Sequence, residues 1–232
     1  MQIPQAAIDG HVGLDVEGFR LNDDAELVAA LGAVQHLDRQ DRAIRRVHPS
    51  GEFEEPLLDR FDEHLGSDRL TFLLRQVRAV PSATADLELP TTPAERSCTL
   101  YVGVEGAPRW ACFNRELLGR QRLIALRSYG GEIAFWIIMI SRVGPFWMSY
   151  WNRFQEHGGE VVPEVATELP WSPWPRITNG IRAVLTQFGL REVDTAVLDT
   201  PIYWMSTAVG YLLEQRGRSP LPTVYHSLFG DI

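Results

Sequence analysis

Apolar residues recur with two different periods along this chain, and the change of period divides it. Before residue 80 the spacing is helical. Asp23 followed by Glu26 is a capping-box variant ahead of Leu27, Leu31 and Val34, which share one face of a helix over about 23–37. The charged run 38–47 continues that helix or begins another, until His48-Pro49-Ser50-Gly51 breaks it. Pro56 opens a segment with Leu57, Leu58, Phe61 and Leu65 on one face and Gly66 as its C-cap. Ser67 then caps a helix striped by Leu70, Leu73, Leu74 and Val77. Ahead of all these, 8–21 reads as a hairpin or extended opening, so the first third is three or four short helices.

Pro81, Pro90 and Pro93 punctuate a connector, and beyond it the period becomes two. Five segments read as strands: 98–104, 109–113, 120–128, 132–141 and 146–154, separated by glycine-containing turns. Within 114–128 strand is preferred, with Asn114 as an alternative helix cap. The stretch 129–154 holds 8 aromatic residues. Its apolar run Ala134 to Ile140 is too short for a bilayer and reads as a strand covered on both faces, Phe135, Ile137 and Met139 against Trp136, Ile138 and Ile140. Phe146, Met148, Tyr150 and Phe154 line one face of its hairpin partner, and Trp147 and Trp151 the other.

His157-Gly158-Gly159 closes this meander, and 161–175 reads as a proline-stiffened arm laid over the sheet. Ile177, Ile181, Val184, Leu185 and Phe188 define a helix ended by Gly189. A turn at 197–201, a helix over 203–215 and a terminal strand or docked tail complete the chain. The expected fold is therefore α+β, a mainly antiparallel β-meander packed with helices behind a helical N-terminal third. The expected organisation is an acidic helical part over 1–80, a connector over 81–96 and a core over 97–232, or all of these in one domain.

Composition adds three constraints. At 232 residues the chain is long enough to bury a core without staples, and Cys98 and Cys112 read as reduced core thiols, facing each other only if 97–114 is a hairpin. All 22 basic residues are arginine, which excludes Schiff-base and P-loop chemistry. Residues 1–66 hold 14 acids and 6 arginines, net −8, whereas the remainder holds 16 of each. An acidic front repels nucleic acid and anionic membrane and favours a basic partner. The opening residues lack a signal-peptide pattern, so a cytoplasmic location is expected.

Chemistry is weakly signalled. The six histidines lack metal-ligand spacing, so neither a metal nor a cofactor is expected, and no Gly-x-Ser-x-Gly elbow occurs. Cys112 with His226 as base, or Glu164 with Glu168, would serve a cryptic hydrolase. The interleaved Arg39, Arg42, Arg45 and Arg46 read as a salt-bridged face. Trp171 and Trp174 read as core cover or as a recognition platform for an adaptor.

The C-terminal quarter carries a resemblance. The order PRITNGIRAVLTQFGL, VDTAVLDTPI, a further helix and PLPTVYHSLFGDI resembles the close of bacterial immunity proteins encoded beside polymorphic or contact-dependent toxins. The resemblance implies a cytoplasmic protein without catalysis that binds one cognate toxin and blocks its active site. Because the family provides no binding motif to transfer, the partner-binding candidates follow from charge: Asp23, Asp24, Glu52, Glu54, Glu55, Asp59, Asp62 and Glu63. Trp171 and Trp174 are the second candidate surface.

Overall fold

The computed structural model describes residues 15–16, 19–20, 24–32, 34, 65–90, 96–166, 171–199 and 223–229. Two short strands, β1 (Asp15–Val16) and β2 (Phe19–Arg20), pair antiparallel and bear out an extended opening. Helix α1 (25–32) follows, then α2 (Ser67–Arg78) and β3 (Ala83–Glu88). Next come β4 (Ser97–Val104), a π-helical turn (Cys112–Glu116), α3 (Arg120–Ser128), β5 (Glu132–Ser141), β6 (Phe146–His157) and β7 (Glu160–Ala166). The chain continues through α4 (Trp174–Gln187), β8 (Arg191–Glu192), a single turn α5 (Thr195–Leu198) and α6 (Val224–Leu228).

Strands β3 to β7 form an antiparallel meander in chain order, and β8 adds a short parallel pairing to β6. The fold is α+β. Strand β5 sits at the centre, and its alternation is the one expected from the apolar run. Trp136, Ile138 and Ile140 face one layer, where Leu70, Leu73 and Val77 of α2 and Ile177, Ile181 and Leu185 of α4 cover them. Trp136 stacks on Trp151 at 5.6 Å and meets Trp147 edge-on. On the opposite side the cover comes in two parts. Phe113 and Leu126 pack on Ile133, Phe135 and Phe154 at one end, and Leu27, Val34, Val224, Leu228 and Phe229 pack on Met139, Val143 and Phe146 at the other.

Local chemistry explains several boundaries. Leu27 donates its N–H to Asp24 Oδ1 at 3.0 Å, so Asp24 caps α1 one residue later than the Asp23 expected for that role. Gly66, not Ser67, precedes α2, and the Ser67 carbonyl instead accepts from Thr71 Oγ1 within the first turn. The buried hydroxyls of Ser97 and Ser141 donate to the Phe229 and Leu228 carbonyls at 3.1 and 2.7 Å. Two carbonyls at the end of α6 that its own turns leave open are thereby satisfied, which ties the chain end to the sheet.

Four expectations need correction. Segments 109–113 and 120–128 are helical, not strands: the residues flanking the apolar 123–126 are good helix formers, and Arg122 ties α3 back to the Phe113 and Asn114 carbonyls. The connector over 81–96 contains β3, whose Ala85 is buried on the same face as Trp136, so residues 83–88 belong to the sheet. The arm over 161–175 begins as β7, because Gly158 and Gly159 turn the chain at positive φ and Pro163 sits in an edge strand that tolerates it. Residues 224–228 form a helix and not a terminal strand, since Thr223 and His226 make a reciprocal capping box, while the alternative of a docked tail agrees with the bonds to Ser97 and Ser141. The helices expected over 38–64 and 203–215 lie outside the described residues, apart from the terminal Leu65 and Gly66 of the segment opened by Pro56.

Candidate functional site

The acidic candidates are described at one position. Asp24 is mostly covered, caps α1 and pairs with Arg191, whose guanidinium lies 5.1 Å above the Phe146 ring. Burial alone would raise the Asp24 carboxyl, but Arg191 and the Leu27 amide together outweigh it and hold the group below its ordinary value. Asp23, Glu52, Glu54, Glu55, Asp59, Asp62 and Glu63 lie outside the described residues.

Cys112 and His226 do not meet. Burial pushes the Cys98 thiol up to about 12, and both cysteines are free. Desolvation and then the neighbouring Glu116 carboxylate raise Cys112, the reverse of what an activated nucleophile requires. His226 is buried and its Nδ1 accepts from the Thr223 amide at 3.0 Å. The element carrying Cys112 docks at Phe135, while α6 docks at Ser141, anchor points about 20 Å apart along an extended strand. Glu164 is held by Arg153 at 3.1 Å from Nε, and Glu168 lies outside the described residues.

The two tryptophans divide their roles. Trp174 is 3% exposed and stands edge-on to Trp151 at 4.7 Å, so it belongs to the core. Trp171 is 41% exposed. Between them and the sheet lies a cavity of about 270 Å³, walled by Val104, Ala134 and Pro173 and bordered by Tyr129, Glu105 and Glu132. The meander builds it. The antiparallel register pairs Val102 with Trp136, which brings the end of β4 beside the start of β5, and α4 begins directly over that corner.

Glu132 is the unusual member of this site. Its Oε2 accepts from Gln155 Nε2 at 3.2 Å, and its buried Oε1 has no hydrogen-bond partner. The nearest cation by register is Arg153, opposite Ala134, and it is already bonded to Glu164. Sequence reasoning picked out Trp171 and Trp174 but missed Glu105, Glu132 and Tyr129. Glu105 stands beside Gly106 and Tyr129 beside Gly130-Gly131, so turn chemistry masks both, and only the strand register puts them together.

On the other face of β3 and β4, carboxylates and arginines pair off. Asp86 meets Arg78 and Arg109 at 3.5 and 3.3 Å. Glu88 accepts from Tyr101 Oη at 2.8 Å and pairs with Arg115. Burial first, and then Glu88, keep the Tyr101 phenol protonated well above its usual range. Among the described residues there is no group of three His, Cys, Asp or Glu that could hold a metal ion, and no helix is long and apolar enough to cross a membrane. No protein-family model, curated protein or solved structure matches the chain.

Proposed function

We propose that this protein is a non-catalytic inhibitor that binds a basic cognate toxin and blocks its active site, in the manner of the immunity proteins its C-terminal quarter resembles. The observation that carries this reading is the segregation of charge: residues 1–66 bear the entire net −8, and the remainder is balanced. A concentrated negative field steers a basic partner and suppresses wrong ones. Asp24 is engaged within the fold, so contact with the partner falls to Asp23, Glu52, Glu54, Glu55, Asp59, Asp62 and Glu63. The raised Cys112 thiol and the separation of Cys112 from His226 weigh against the hydrolase alternative.

A second reading, an adaptor that docks a partner on the tryptophan corner, is favoured by the exposure of Trp171 beside a cavity. Co-expression with the product of the neighbouring gene separates these readings. The inhibitor reading expects growth protection and a co-purifying complex, both retained by Cys112→Ala and His226→Ala. A toxic neighbouring product without protection, or protection lost in Cys112→Ala with its fold intact, contradicts it.

A further inference from the structure

The geometry points to the cavity under Trp171 as a receptor for one guanidinium, the side chain of an arginine presented by a partner. At about 270 Å³ it falls just below the range of roughly 300–1,000 Å³ that holds drug-sized ligands, so it admits a single side chain and not a large cofactor. Its lining is aromatic and acidic. Trp174 forms the inner wall, Trp171 and Tyr129 stand at the exposed rim, and Glu105 and Glu132 supply the charge. Indole and phenol faces attract cations, and this chain already sets Arg182 over Trp136 at 5.7 Å on the same face of the sheet.

Glu132 decides the sign of the occupant. A buried carboxylate oxygen without a partner is unfavourable, and a cationic N–H donor is the group that compensates it. Gln155 takes Oε2 and Oε1 is shielded from solvent, so the incoming group is attracted by the charge of the two carboxylates and gains the rest of its affinity by lying flat against indole. A planar guanidinium does both, whereas an ammonium offers no flat face. Arg153 lies close enough to be influenced by the Glu132 charge, but its guanidinium is hydrogen-bonded to Glu164 and makes no hydrogen bond to Glu132. An anion meets two carboxylates here.

That the arginine belongs to a toxin rests on the proposed function; the pocket itself does not. The two parts divide the kinetics: the acidic front sets how fast a basic partner arrives, and the pocket sets how long it stays. Titration of the full-length protein with Nα-acetyl-arginine amide, followed by the indole N–H resonances of Trp171 and Trp174, tests the pocket without any partner. Saturable shifts of both resonances are expected, and the citrulline analogue, which lacks the charge, produces none. Glu132→Gln weakens binding about tenfold, through the loss of one carboxylate charge at the site. Glu105→Gln and Trp171→Ala, both at exposed positions, weaken it as well and serve if Glu132→Gln does not fold. Absence of shifts, equal binding of the citrulline analogue, or unweakened binding by folded Glu132→Gln overturns the site. If the arginine probe fails while co-expression protects, the pocket falls and the inhibitor reading stands; the converse result removes the inhibitor reading and leaves the pocket.

Discussion

Trp136 lies where several packing contacts converge. It is 1% exposed, stacked on Trp151, edge-on to Trp147 and roofed by Arg182. Truncation to alanine removes the indole from the layer that α2 and α4 cover, and Trp136→Ala should lower unfolding free energy by about 3–5 kcal/mol. A loss below about 1 kcal/mol in urea unfolding would contradict a central position for β5. Asp24 makes a prediction that depends on pH. Its folded pKa lies below the ordinary 3.8, so its contribution is fully present above that value and disappears as pH falls through the depressed one. Asp24→Asn keeps a capping oxygen but loses the attraction to Arg191, a partly exposed pair worth under about 1 kcal/mol. The stability difference between wild type and variant should therefore be constant from neutral pH to about 4 and vanish in stronger acid. A difference that grows on acidification would contradict the pairing.

At the scale of elements, the two helices on the Trp136 face meet closely. A Cβ added at Gly180 of α4 would lie 2.8 Å from Val80 Cγ1, just beyond the end of α2. Helix propensity favours Gly180→Ala by about 1 kcal/mol, and overpacking opposes it by about 1–3 kcal/mol, so a net loss is expected. In Val80→Ala the obstacle is gone and the same change should become neutral or stabilising, a coupling that a double-mutant cycle measures. Additive effects would contradict the contact. The elements also show what the chain made legible. Strand β5 was readable because its long apolar run is buried on both faces, and β6 because its aromatic residues are spaced along a segment bounded by clear turn signals. Segment 120–128 was misread because its apolar residues are consecutive, a pattern compatible with either period, and only its packing on Phe135 and Phe154 decides the matter. Strand β3 was hidden by the prolines around it, and β7 by the proline within it. Each is recognisable as a strand only through its neighbour's hydrogen bonds. The candidate site was half legible: its tryptophans stand out in the sequence, whereas Glu132 becomes distinctive only when the fold leaves one of its oxygens without a partner.

For the whole molecule, charge is segregated along the chain, with the net −8 in residues 1–66, and the balanced remainder contains the aromatic, carboxylate-lined cavity. A field of this kind acts over about 8 Å at physiological ionic strength and governs encounter, while desolvated contacts govern release. The charge reversal Glu54→Arg, Glu55→Arg, Asp59→Arg and Asp62→Arg should therefore change association and leave dissociation close to wild type. Trp171→Ala should do the opposite. The most direct measurement is the association rate of the wild-type protein and of the fourfold variant with the neighbouring gene's product, followed across ionic strength. Slower association and a flattened salt dependence are expected for the variant. Unchanged association kinetics and an unchanged salt slope after the reversal would contradict recognition of a basic partner through the acidic front.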